Sequence, residues 1–216
     1  DKDLKRLGRL HTVNEARSSF DIAASTFDRV SFDLIYGRQN QTLTNWENEL
    51  LEALNMAVGH LSLYQLTIED NTRFGELLTK GKLLGLPDTN TAADFFNLTQ
   101  QICQSKNLHP YEISNYSQKG EECQHNLTYL RGGSFIGVGP GAHGRVEIDN
   151  KRYLTETSSN PELWLRQVQQ KKFNQFSFEQ ISKTEQAEEY LIMGLRLKEG
   201  IDLSHYSNLT KCTLPK

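Results

Sequence analysis

The sequence predicts an α/β fold in which two strands of a parallel sheet alternate with helices. Two observations carry that expectation. Between Thr12 and Glu69 a helical pattern, a strand pattern, a second helical pattern and a second strand pattern follow one another across short connections, the signature of α/β units. Within RVSFDLIYG the apolar residues Val30, Phe32, Leu34 and Tyr36 fall on one face and Ser31, Asp33 and Ile35 on the other. A parallel sheet of two strands cannot cover both its faces, so the domain is expected to continue before Asp1. Left alone, those strands would present an open apolar edge prone to aggregation.

The elements follow in order. The opening residues read as the end of one helix. Thr12 and Glu15 have the spacing of a capping box, and Ala16, Phe20, Ala23, Ala24 and Phe27 recur at helical intervals, which predicts a helix over about 12–26. RVSFDLIYG is the first strand. Thr44 and Glu47 form a second box ahead of Trp46, Leu50, Leu51, Leu54 and Ala57, and HLSLYQLTIE gives a strand over about 60–69. Phe74 to Gly81 reads as a short helix. Pro87 and Asp88 start a longer one reaching about Lys106, with Phe95, Phe96, Leu98 and Ile102 on its buried side. A strand around Tyr111 to Tyr116, a hairpin with Asp149 and Asn150 at its tip, and helices over about 160–171 and 183–197 complete the reading, with Gly200 as a stop signal.

Bulk properties exclude several classes of function. A net charge of −3 with 24% charged residues leaves no polybasic footprint, so nucleic acid is not an expected partner. No apolar run approaches the roughly 20 residues of a membrane span. The opening DKDLKRLGRLH has neither an initiator Met nor a signal-peptide core, so the chain reads as a fragment. Cys103, Cys123 and Cys212 are widely spaced and odd in number, which fits free thiols in a reducing cytoplasm and assembles no zinc or iron-sulfur site.

Chemistry concentrates in Gly120 to Gly144, GEECQHNLTYLRGGSFIGVGPGAHG. Five of the chain's 15 glycines fall between Gly132 and Gly141, and Gly144 follows, so the backbone there is expected to approach something closely. GVGPG lacks the G-x-G-x-x-G spacing, and Pro140 removes an amide donor, which rejects a dinucleotide fingerprint. His125 and His143 read either as ligands of a metal or haem iron or as packed, hydrogen-bonded histidines. Asp33, inside an apolar strand, reads either as a ribose-binding carboxylate near a strand end or as a structural partner of an arginine or amide. Arg9 reads as a carboxylate clamp or as a solvated surface charge. No nucleophile-base-acid motif is present.

The ordered strings DKDLKRLGRLHTVNEA, SFDLIYG, HLSLYQLTIE, YEISNYS, GEECQHNLTY, FIGVGPGAHG and LIMGLRLKEGI resemble, across nearly the whole chain, the oxygen-independent coproporphyrinogen III oxidase-like branch of radical SAM proteins, within it the haem chaperones. The resemblance implies a partial (α/β)6 TIM-like barrel over 1–70, a connecting region over 71–150, and a C-terminal helical domain over 151–216, together an α+β extension of the barrel. It implies S-adenosylmethionine and a four-iron four-sulfur cluster in the intact protein, the cluster cysteines lying outside this chain, which alone is expected to be inactive as an enzyme. By position Arg9, Asp33, Thr67, Ala142 and His143 correspond to S-adenosylmethionine contacts. His125, Asn126 and Tyr129 correspond to a haem-associated H-N-x-x-Y-W motif whose tryptophan is Leu130 here, a loss of flat packing surface. Arg38 and Gln39 stand where the family has an apolar residue and a proline, which predicts a less rigid turn. The implied partners are haem, a haem-accepting client protein and a second copy of the chain. Two other readings stay open, a coproporphyrinogen III oxidase and a degenerate remnant that only binds haem.

Overall fold

A computed structural model describes residues 1–70, 72–172 and 176–211. Cys212, read above as a free thiol, lies outside the described residues. The chain divides into two compact units, Asp1–Glu122 and Cys123–Lys216, so the change of unit falls inside the stretch 71–150.

The first unit opens with α1 (Lys2–Arg6) and α2 (Val13–Thr26). Thr12 caps α2 with a full capping box, its side chain accepting from the Glu15 amide while Glu15 reaches back to the Thr12 amide. β1 (Asp33–Tyr36) and β2 (His60–Gln65) pair in parallel, Asp33 opposite Ser62 and Tyr36 opposite Gln65, with α3 (Leu43–Met56) as the crossover between them. This confirms the α/β unit. The cap of α3 is Thr42, not Thr44: Thr42 accepts the Asn45 amide, which puts asparagine at the third helical position, where a box needs Glu or Gln.

After α4 (Arg73–Thr79) and α5 (Thr89–Ser105), capped by Asp88, the stretch read as one strand is a hairpin. β3 (His109–Pro110) and β4 (Asn115–Ser117) are antiparallel, and β4 adds to β2, giving the sheet order β1-β2-β4-β3. The hairpin therefore covers one edge that two strands alone would leave open. What turns it is the buried Glu112, whose Oε1 accepts from the Ser114 amide at 2.7 Å and from Asn115 Nδ2 at 2.6 Å. Asn115 Oδ1 in turn accepts from Ser62 Oγ at 2.8 Å, which ties the hairpin to β2.

The core lies on one face of this sheet. Leu34 and Tyr36 from β1 and Leu61 and Leu63 from β2 point at Trp46, Leu50 and Leu54 of α3 and at Phe95, Ile102 and Cys103 of α5. Trp46 stacks on Tyr36 at 5.0 Å between ring centroids, and its indole N–H donates to Thr99 Oγ1 at 2.8 Å, so its one polar atom is satisfied inside the core. Phe96 is only half-buried. The turn after β1 is not loosened by Arg38. Its side chain is 11% exposed and grips Glu49 through two nitrogens, Nη1 at 3.0 Å and Nη2 at 2.5 Å, while also donating to the Ile35 carbonyl. An ion pair thus pins the turn where a proline would stiffen it.

The second unit contains α6 (Gln124–Leu130), then β5 (His143–Ile148), β6 (Lys151–Glu156) and β7 (Ser177–Gln180) as an antiparallel sheet in that order, with α7 (Pro161–Gln169), α8 (Lys183–Gly194) and α9 (Leu203–Thr210). The Asp149–Asn150 tip has both residues at positive φ, 50° and 58°, the two-residue turn that suits a twisted hairpin. α8 ends at Gly194, short of the expected 197. A side chain there would collide with Ile201, and Gly200, at φ 73°, closes the turn that follows. Among the described residues no helix is long and apolar enough to cross a membrane.

Candidate functional site

The first unit carries three of the residues singled out from sequence. α1 ends in a Schellman motif: the Arg9 amide donates to the Leu4 carbonyl at 2.8 Å and the Gly8 amide to Lys5 at 3.0 Å, with Gly8 at φ 72°. Arg9, just past this turn, is exposed. Asp33 is exposed too. Because Leu34 and Tyr36 face the helices, Asp33 falls on the opposite sheet face, the side of its partner Ser62 and of the Glu112–Asn115 network. It opens β1 and does not lie near that strand's C-terminal end, which corrects the sequence reading. Thr67 is exposed two residues past the end of β2, its Oγ1 hydrogen-bonded to the Gln65 carbonyl at 3.3 Å. Asp33 and Thr67 thus sit toward opposite ends of the strand pair.

The same polar face holds His60, which the sequence reading passed over. Ser31 Oγ lies 2.6 Å from its Nδ1 and Tyr111 Oη 3.0 Å from its Nε2. Burial, helped by the nearby Arg29 charge, holds the imidazole below its ordinary pKa, so it stays neutral near pH 7.

In the second unit His125 and Tyr129 stand one helical turn apart on α6, their rings 5.6 Å apart, and Phe135 meets both, at 6.4 Å and 6.2 Å. His125 is exposed, and Asn126 and Tyr129 are half-buried. Leu130 is on the other side of α6, 1% exposed beside buried Leu127. A side chain at 130 points into the packing here, so leucine removes no surface from the aromatic face. Phe135 supplies that surface instead, and no spacing rule in the sequence links it to the H-N-x-x-Y run.

The glycines answer the question of what the backbone approaches: the chain itself. A Cβ on Gly137 would lie 2.3 Å from the His143 carbonyl oxygen, and one on Gly144 would lie 2.5 Å from Thr155 Oγ1 and 3.1 Å from the Phe135 carbonyl. Phe135 and Arg145 pair as an isolated bridge, exchanging hydrogen bonds of 2.7 Å and 2.9 Å. The Ala142 amide donates to Thr157 Oγ1 at 3.0 Å, so it is engaged within the fold, while the half-exposed His143 has Nε2 3.9 Å from Glu156 Oε1 across the strand pair.

A cleft of about 440 Å³ connects the two motifs of this unit. One wall is a face of the β5–β6 hairpin, with His143, Arg145 and Glu147 alternating along β5 and Arg152 opposite Glu147. Another is α8, which presents Lys183, Gln186, Glu189, Tyr190 and Met193 at helical spacing. Tyr129 and Phe135 also line the cleft. Arg145 is spoken for: its Nε lies 3.1 Å and 3.0 Å from the two Glu189 oxygens, and Nη2 is 2.5 Å from one of them. Among the described residues no three His, Cys, Asp or Glu side chains gather as a metal site.

An α/β first unit followed by a small antiparallel sheet with helices has a counterpart among solved structures. The chain superposes on coproporphyrinogen III oxidase (HemN) of Escherichia coli with a TM-score of 0.70, over 98% of this chain and 51% of that one, at 14% identity, a likeness of fold alone. Residues 181–212 match the model of the HemN C-terminal domain. Sequence similarity goes further. The chain is 39% identical over 231 residues to radical S-adenosyl methionine domain-containing protein 1, mitochondrial, of Dictyostelium discoideum, covering 96% of this chain and 52% of that protein. It is 38% identical over 160 residues to the heme chaperone HemW of Escherichia coli, covering 74% and 41%, and 31% identical over 208 residues to HemW of Bacillus subtilis, covering 96% and 54%. The chain belongs to the HemN-like family of radical SAM proteins and resembles HemW within it. It spans about half the length of the curated relatives it matches.

Proposed function

We propose that this chain is the haem-handling part of a HemW-like haem chaperone, a protein that binds haem and passes it to a client protein. The observation that carries the reading is an exposed imidazole framed by two aromatic rings, His125 with Tyr129 and Phe135, in a chain similar to haem chaperones over most of its length. An imidazole open to solvent has a ring nitrogen to offer to haem iron, and ring faces supply the apolar contact that a porphyrin needs. The isolated position of Leu130 inside the packing leaves that face intact.

The first unit has a different task in this proposal. Its polar sheet face becomes the interior of a partial (α/β)6 barrel, where Asp33 accepts from a ribose diol, Arg9 meets an amino-acid carboxylate and Thr67 lines the nucleoside. Ala142 and His143 belong to the same S-adenosylmethionine set by position. The exposed heads of Asp33 and Arg9 fit such a ligand, since neither is consumed by the fold. Bound S-adenosylmethionine and a four-iron four-sulfur cluster would supply the radical chemistry of the intact protein. The proposal puts the protein in a reducing compartment, cytoplasmic by the cysteine reading; the Dictyostelium relative is named as mitochondrial.

Titration of the 216-residue chain with haem, followed in the Soret band, tests the reading. Saturation at one haem per chain, with a band shift that His125→Ala removes, is the expected result. A featureless, unsaturable rise would overturn it.

A further inference from the structure

Arg152 is a charge of the second unit that no ion pair among the described residues accounts for. Its side chain is half-buried and lines the cleft, and among the described residues its one side-chain hydrogen bond runs from Nη2 to the Gly133 carbonyl at 3.0 Å. Among the described residues no carboxylate lies within the 4.0 Å of an ion pair: Glu189 is committed to Arg145, and Glu147, directly opposite on β5, forms no bridge to it. Burial pulls its pKa down, the Glu189 and Glu147 charges opposing the shift and the neighbouring Arg145 charge adding to it. A half-buried guanidinium whose nearest carboxylates, Glu189 and Glu147, act on it only from beyond hydrogen-bonding distance gains from an anion that meets its fork directly. Lys183, at the first turn of α8, adds a second positive charge to the same cleft.

We infer that this cleft is a binding site for a flat aromatic carboxylate, Arg152 and Lys183 holding the carboxylate groups while Tyr129 and Phe135 pack against the ring. The volume of about 440 Å³ is in the range of ligand sites. The lining combines the Tyr129 and Phe135 rings, the cations Arg152 and Lys183, and two carboxylates of which Glu189 is taken up by Arg145, and the planar Arg152 fork matches a carboxylate in a bidentate manner. Resting on the haem reading proposed above, the ligand is the porphyrin itself, whose propionates would be read by Arg152 while His125, beside the same two rings, faces the iron.

Haem and its dimethyl ester, each delivered from detergent micelles to the whole chain, separate the two ideas. The account expects the diacid to bind about tenfold more tightly than the ester, the scale of one charge-assisted hydrogen-bonded contact. Arg152→Gln should erase that preference, Arg152→Lys should keep part of it, and circular dichroism should show both variants folded. His125→Ala should remove the Soret shift yet leave the preference in place. Equal binding of diacid and ester by the native chain, or a preference that survives Arg152→Gln, overturns the cleft while leaving haem binding standing. Binding of neither overturns both.

Discussion

The two units handle their polar residues in opposite ways. In the first, a continuous core of Tyr36, Trp46, Leu50, Leu61, Leu63 and Phe95 occupies one face of the sheet, and the residues with chemical potential, Asp33, Arg9 and Thr67, sit on its other face or beyond its ends. In the second, the buried apolar residues among those described are fewer, and the residues that shape the fold are also those that shape the cleft: Tyr190 lines it and packs beside Gly132, and Arg145 both lines it and binds Glu189. Stability and site are separable in the first unit and entangled in the second. A substitution in the first should therefore damage folding or chemistry, but not both.

The strongest test of the first half of that contrast is Trp46→Ala. It removes a fully buried indole, its stack on Tyr36 and its hydrogen bond to Thr99, and should cost about 3–5 kcal/mol in urea unfolding. A loss below about 1 kcal/mol would show that the core does not hold the unit together. Gly137→Ala probes the second unit. Its new methyl would press on the His143 carbonyl, for an expected cost of about 1–3 kcal/mol. Because that carbonyl belongs to the cleft's own strand, near-ultraviolet dichroism and haem affinity should change together.

Smaller effects sharpen the comparison. Thr42→Ala should destabilise by about 1 kcal/mol through loss of the α3 cap, while Thr44→Ala, inside the helix, should be close to neutral. Equal effects would restore the capping box expected at Thr44. The two described cysteines divide between the units. Burial pushes the Cys103 thiol up to about 12, so at pH 8 an alkylating reagent should modify half-buried Cys123 and spare Cys103, as peptide mapping would show. Tyr36 is likewise raised to about 12 by burial. Both groups hold their protons longer when folded, so their contribution to stability is complete below about pH 9 and declines as the pH rises toward 12.

How much was legible in the sequence follows the same division. In the first unit apolar periodicity is strong, and it gave α2, α3, the parallel pair and the burial of Trp46, Leu50 and Leu54. The hairpin of β3 and β4 was hidden because its turn is made by the side chain of Glu112, a tertiary device with no turn signature in YEISNYS. In the second unit α6, β7 and α9 went unread: each is short, and none carries a clean amphipathic period. The glycine cluster announced a close approach but not its object, since a ligand and the chain's own carbonyls demand the same absence of a Cβ. Arg145 and Arg152 were invisible as site residues. The alternation His143, Arg145, Glu147 was in the sequence, yet only the cleft distinguishes a ligand face from a solvated one.

The division of labour between the units is tested most directly by comparing haem affinity in Asp33→Asn and His125→Ala, both made in the whole chain. If haem is handled by the second unit and the Asp33 face serves another ligand, Asp33→Asn should bind haem within about twofold of the native chain, and His125→Ala should weaken binding at least about tenfold, more than 1.4 kcal/mol. Equal weakening by both substitutions, or full affinity in His125→Ala, would contradict the account.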